Sequence, residues 1–127
     1  MIQSKFNYML ATAVSVFTLV FVSNTVAAKE DIKVPFQYSL GVKHYQDKCA
    51  SCHGQWGKGT EVGPPLMHPF YKPSHHNDAS FYRAALSGVQ AHHWNFGNMP
   101  AVKGITEKEV GSIISFIRWL QHEKGIF

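Results

Sequence analysis

The chain has 127 residues, which is enough for one small domain. Twelve lysines and arginines stand against eight acidic residues, giving a net charge of +4. The lysines are scattered, without a basic run of the kind that follows a phosphate backbone, so we expect no nucleic-acid partner. A moderately positive surface would instead suit docking to an acidic protein.

Residues 1–28 are predicted to be a secretory signal peptide. Lys5 supplies a positive charge, residues 8–22 are mostly apolar, and small residues at 26–28 precede the cleavage site. An uncleaved membrane anchor is the alternative, but the apolar run is shorter than the roughly 20 residues that a bilayer span needs. We therefore expect cleavage after Ala28, a periplasmic protein, and no membrane association unless this segment is retained.

An irregular segment, residues 29–38, precedes the first predicted helix. The helix is expected to begin with Ser39 as its N-cap and to run to about Cys49. Gly41 and Tyr45 share one face with Cys49. Because glycine inside a helix costs up to ~1 kcal/mol relative to alanine, we expect Gly41 to permit the close approach of another helix.

Residues 49–53 spell C-x-x-C-H, the attachment signature of c-type haem, and the chain has no other cysteine. Two thiols at this spacing suit the two vinyl groups along one haem edge. A disulfide here would close only a tiny loop, and a thioredoxin-type pair would need a strand-helix context that does not precede Cys49. We predict one covalent haem c per chain, attached through Cys49 and Cys52, with His53 as an axial ligand of the iron.

Glycines and prolines dominate residues 54–74 and predict a long ordered loop. Its apolar residues suggest that it packs around a large object: Trp56, Leu66, Met67, Phe70 and Tyr71. A ligating histidine usually donates its second ring nitrogen to a fixed acceptor. We expect the Pro64 carbonyl to accept from His53, with Pro65 as the second choice. The alternative is that both prolines only stiffen the loop.

A second helix is predicted from about Asn77 or Asp78 to Leu86, with Gly88 as its C-terminal cap. Residues 89–104 then form another predicted loop. No strand pattern rises above noise in the chain.

The second axial ligand is expected to be Met99, in the loop before the last helix. Pro100 biases Met99 towards an extended backbone, which helps to present its side chain, and a thioether ligand raises the haem potential. Met67 is the weaker sulfur alternative. Histidines 44, 68, 75, 76, 92, 93 and 122 also carry ligand atoms. For His92 and His93 a bis-histidine haem, a metal site, a proton-linked switch and hydrogen bonds to the haem propionates all stay open.

The last helix has the clearest pattern. Residues 106–109 form a capping box, and apolar residues at 110, 113, 114, 117 and 120 mark one face to about Gln121, with Gly125 as a stop. Residues 39–127 are therefore predicted to be an all-α domain of three or more short helices, with long loops wrapped around the haem.

From about residue 39 to residue 122 the chain resembles the class I c-type cytochromes, the small bacterial monohaem kind. The resemblance rests on Gly41, Tyr45, the C-x-x-C-H-G segment at 49–54, Gly63-Pro64-Pro65-Leu66, Asn98-Met99-Pro100 and the aromatic-rich last helix. It implies a cytochrome c-like fold in which the first and last helices cross, with Gly41 against Phe116 or a neighbour. It also implies His53 and Met99 as axial ligands, the Pro64 carbonyl behind His53, and Leu66 packing on the haem.

These features predict a periplasmic one-electron carrier that is not an enzyme, with redox proteins as its electron donor and acceptor. An iron with two axial ligands from the protein has no open site for bond-making chemistry. One rival is a haem-bearing subunit of a periplasmic dehydrogenase or oxidase complex. The other is a ligand-binding sensory cytochrome whose Met99 is displaced by a small gas.

Overall fold

A computed structural model of the chain describes residues 32–127, so the predicted signal peptide lies outside the described residues. In this part of the chain there are no β-strands, only an isolated bridge between Val89 and Met99. The prediction of an all-α fold is confirmed. The α-helices are α1 (Ser39–Lys48), α2 (Ala50–His53), α3 (Asp78–Ser87) and α4 (Glu107–Glu123). None of the helices within residues 32–127 is both long and apolar enough to cross a bilayer.

The start of α1 differs from the prediction. A single 3-10 turn, Phe36–Tyr38, leads directly into the helix, and Tyr38 occupies the N-cap position without a side-chain capping bond. Ser39 is the first helical residue, so its prediction as the N-cap was wrong. The preceding turn already directs the chain into the helix, and the amide of Ser39 bonds to the carbonyl of Phe36.

The core forms where α1 packs on α4. Tyr45 of α1 is buried against Phe116 of α4, with ring centroids 5.6 Å apart. The side chain of Phe116 is fully buried. Burial of a side chain of this size contributes about 1.5–3 kcal/mol. The Tyr45 hydroxyl donates a hydrogen bond of 2.7 Å to the carbonyl of Gly54, which ties α1 to the residue that follows the C-x-x-C-H segment.

Helices α3 and α4 begin as the sequence predicts. Asn77 caps α3 by accepting a hydrogen bond from the amide of Ser80, and Gly88 forms its C-cap. Thr106 and Glu109 form the predicted capping box of α4, in which each side chain accepts a hydrogen bond from the other residue's amide. Side-chain oxygens at these positions satisfy amides that have no partner inside the helix.

The long loop before α3 is held on α4 by two polar side chains. Gln121, which is fully buried, donates from Nε2 to the carbonyl of Leu66 at 2.9 Å. Arg118 donates to the carbonyls of Tyr71 at 2.6 Å and His76 at 2.5 Å. Because these bonds pair backbone groups that are wholly or partly buried, they fix the course of a segment that has little regular structure of its own.

Candidate haem site

A cavity of about 840 Å³ lies among the described residues and is lined mainly by apolar atoms. Its volume is within the range of about 300–1,000 Å³ that is typical of small-molecule and cofactor sites. Cys49, His53 and Met99 all line it, together with Pro64 and Leu66. The cavity therefore brings together five of the six predicted site residues from three separate segments of sequence.

The two cysteines lie on neighbouring turns at the junction of α1 and α2. Cys49 is half-buried and Cys52 is exposed. Burial, and secondarily the charge of Cys52, raises the pKa of the Cys49 thiol to about 11. Cys52, the sixth predicted residue, is not among the described residues that line the cavity. It lies one helical turn from Cys49, and its amide donates a hydrogen bond of 3.2 Å to the Cys49 carbonyl.

His53 is oriented by the loop that follows it. Its Nδ1 lies 2.9 Å from the carbonyl oxygen of Pro64. A carbonyl can only accept, so Nδ1 carries the proton and Nε2 keeps a free lone pair. Burial lowers the pKa of His53, and the bond to Pro64 partly offsets this shift. The ring is thus neutral near pH 7, and neutral imidazole is the form that binds metals. Pro64, rather than Pro65, is the hydrogen-bonding partner.

Met99 is positioned by its backbone. Its amide and carbonyl exchange two hydrogen bonds of 2.9 Å with Val89, the isolated bridge that pins this loop next to the end of α3. Gly88 permits this approach, since it has a φ of +81° and a Cβ there would lie 2.6 Å from the Met99 carbonyl oxygen. Asn98 accepts a hydrogen bond of 2.9 Å through Oδ1 from the amide of Ala91, which closes the turn between these residues.

Met67, the other sulfur candidate, packs differently. Its side chain lies against the backbone of Gly57 and borders the core cluster that contains Leu66 and Phe116. It is not among the residues that line the cavity in the described part of the chain.

One part of the cavity wall carries four histidines and a tryptophan whose proximity was not predicted from the sequence. His75, His76, His92, His93 and Trp94 all line it. The indole nitrogen of Trp94 is buried and has no hydrogen-bond partner among the described residues. Burial raises the pKa of the Tyr71 phenol, and the nearby Trp94 side chain offsets a smaller part of that rise. An unpaired buried donor at a cofactor cavity suits an acidic group of a ligand.

The residues present fit a haem. Apolar side chains line a cavity of sufficient size, and a neutral imidazole, a thioether and a thiol border it. These are the groups that c-type cytochromes use for axial ligation and attachment. The unpaired indole N–H of Trp94 offers a partner for a carboxylate.

Comparison with known proteins agrees with this chemistry. A sequence model of the cytochrome c family matches residues 38–121, which is more than half of the chain. Searches of curated proteins and of solved structures found no match. Membership of the family implies covalently bound haem c and redox proteins as partners. The chain therefore belongs to the cytochrome c family and is a haem-binding electron-transfer protein.

Proposed function

We propose that this cytochrome is a periplasmic electron carrier that holds one haem c per chain. Cys49 and Cys52 would attach the haem, and His53 and Met99 would be the axial ligands of its iron. One observation carries the proposal: an imidazole and a thioether from separate segments line the same cavity as the first cysteine of C-x-x-C-H. When bound, the haem supplies reversible one-electron chemistry.

The chain's own residues prepare both ligand atoms. The bond from His53 Nδ1 to Pro64 leaves Nε2 free to bind iron and holds the ring in one orientation. The bridge to Val89 restrains the backbone of Met99, which limits how far its side chain can move. Ligands held in this way need little rearrangement when the charge of the site changes, which favours electron transfer over ligand exchange.

Leu66, Val102 and Ile113 line the cavity with apolar side chains. An apolar shell around a metal site influences its reduction potential. Because two protein ligands leave no open position, we propose that the protein passes electrons between partner proteins and does not itself make or break bonds. The signal peptide predicted at residues 1–28 supports the periplasmic location.

Intact-mass measurement of the protein purified from periplasm tests the attachment, the haem count and the processing together. The expected mass is that of a chain beginning at Lys29 plus one haem. Cys49→Ser with Cys52→Ser should remove the haem mass, while Ser51→Ala, a matched change inside the same turn, should retain it. A chain beginning at Met1 would contradict cleavage, and a mass without haem in the unchanged protein would contradict attachment.

Two further measurements separate the carrier from its rivals. Carbon monoxide added to the reduced protein should leave the Soret band unchanged, since Met99 would occupy the sixth position. A shifted band would favour the ligand-binding sensor. Size-exclusion chromatography of a native periplasmic extract should place the haem absorbance at the size of the free chain. Elution with a large dehydrogenase would favour the subunit of a complex.

A further inference from the structure

Three histidines converge in the wall of the cavity. The ligand nitrogens of His75, His76 and His93 lie within 4.8 Å of one another, with His75 exposed and the other two half-buried. His75 and His76 precede α3, whereas His93 belongs to the loop before Met99. The cluster therefore joins two loops that are distant in sequence.

The spacing between His75 and His93 suits a shared metal ion. Nε2 of His75 and Nε2 of His93 are 3.2 Å apart. Two imidazole nitrogens bound to one tetrahedral Zn²⁺, each at about 2.0–2.1 Å, are separated by about 3.3 Å. A ligand nitrogen of the third ring, His76, lies within 4.8 Å of both. Without a metal, one of the two Nε2 atoms must carry a proton and donate to the other.

Phe70 orients two of the three rings. Its carbonyl oxygen lies 2.6 Å from Nδ1 of His76, so that nitrogen donates and Nε2 keeps its lone pair. Its ring stacks on His93 with centroids 4.6 Å apart and planes 28° apart. A backbone carbonyl behind the second ring nitrogen is the usual arrangement for a metal-ligating histidine.

The three rings form no ion pair with a carboxylate within residues 32–127. The histidine ion pairs among the described residues involve His44 and His122, so no carboxylate there competes for these three rings. Neutral imidazoles favour Zn²⁺ and Cu²⁺ among first-row metals.

We propose that His75, His76 and His93 bind one divalent first-row transition metal ion, of the Zn²⁺ or Cu²⁺ class, at a site separate from the haem iron. The exposure of His75 leaves a fourth position open to water or to an external ligand. The ion would clamp the loop before α3 to the loop that carries Met99. By the general order of metal affinities, Cu²⁺ binds more tightly than Zn²⁺.

Calorimetric titration of the oxidised, haem-loaded protein with zinc chloride tests the site. One ion per chain is expected, and His75→Ala, His76→Ala and His93→Ala should each weaken binding by at least about tenfold. His122→Ala is the matched control, because His122 is exposed at the end of α4, and it should bind like the unchanged protein. No binding, or equal binding by His75→Ala, would overturn the proposal.

Visible spectra separate this site from the haem iron. The three variants should keep the axial-ligand absorption of the unchanged protein, since none of the three rings is proposed to bind the iron, and far-ultraviolet circular dichroism checks that they fold. A changed axial-ligand spectrum in His93→Ala would mean that the cluster ligates the haem iron, and it would overturn the separate site. With Cu²⁺ as the probe, electron paramagnetic resonance should resolve couplings from three nitrogens, and their absence would contradict the assignment. The proposed axial ligands of the haem do not depend on any of these outcomes.

Discussion

Gly41 lies against Phe116 where α1 crosses α4, and the contact leaves no room for a side chain at Gly41. A Cβ added there would lie 2.7 Å from Cβ of Phe116 and would overlap the carbonyl oxygen of Ser112. The two helices can therefore pack with their backbones nearly touching. Since α1 leads directly into the C-x-x-C-H segment, this crossing sets where Cys49 meets the cavity.

Gly41→Ala should destabilise the protein although alanine favours helices. Overpacking against backbone typically costs about 1–3 kcal/mol, which exceeds the gain of about 1 kcal/mol in helix propensity. Gly111→Ala is the matched control in α4, because its Cβ would meet only the end of the Tyr82 side chain, at 2.8 Å. Guanidinium unfolding should show a lower free energy for Gly41→Ala alone. Equal stability of the two variants would refute the close crossing.

Gln121→Leu should loosen the loop before α3. The change removes the donor to the Leu66 carbonyl and the acceptor, Oε1, that lies 2.8 Å from Arg118. Leaving a buried group unpaired costs about 1–3 kcal/mol, so the free energy of unfolding should fall by that amount. Gln46→Leu, at an exposed position of α1, should change it by less than about 0.5 kcal/mol. A similar fall in the free energy of unfolding in both variants would show that losing the buried hydrogen bonds does not cause it.

Glu109 should make stability depend on pH in acid. Hydrogen bonds from the amide and the hydroxyl of Thr106 lower the pKa of Glu109 below its usual 4.5. As the pH falls, Glu109 is therefore protonated at a higher pH in the unfolded chain than in the folded protein. Its contribution to the free energy of unfolding is full above about pH 4.5 and is lost as the pH falls further. Thermal unfolding at about pH 6 and about pH 3.5 should show a smaller drop in Tm for Glu109→Gln than for the unchanged protein.

Glu107→Gln provides the comparison for that experiment. Glu107 carries the same charge in the same first turn of α4 but takes no part in the capping box. Its variant should keep the drop in Tm of the unchanged protein. If Glu107→Gln and Glu109→Gln behaved alike, general repulsion at the helix end would explain the effect and the capping box would not.

Much of the fold follows from local sequence signals. The capping box before α4 and the pair of Asn77 and Gly88 around α3 mark helix ends through interactions with nearby backbone. The close crossing at Gly41 was also predictable, because an unexplained glycine inside a helix indicates a close contact. Helix α2 was not predicted separately, since a single turn is too short to show a periodic pattern.

The remaining features depend on how distant segments meet. The bridge between Val89 and Met99 joins backbone groups, which carry no sequence signature. Arg118 and Gln121 likewise bond mainly to backbone carbonyls of the loop before α3. The contact between His75 and His93 depends on the folding of two loops, so the sequence could not distinguish a histidine cluster from solvated histidines.

The ligand opposite His53 is tested most directly by the weak far-red absorption band that a sulfur ligand gives to oxidised haem. The unchanged protein should show the band, Met99→Ala should abolish it, and Met67→Ala should retain it. Absence of the band from the unchanged protein would contradict methionine ligation altogether. Loss of the band in Met67→Ala, with its retention in Met99→Ala, would show that the iron is bound by the other sulfur.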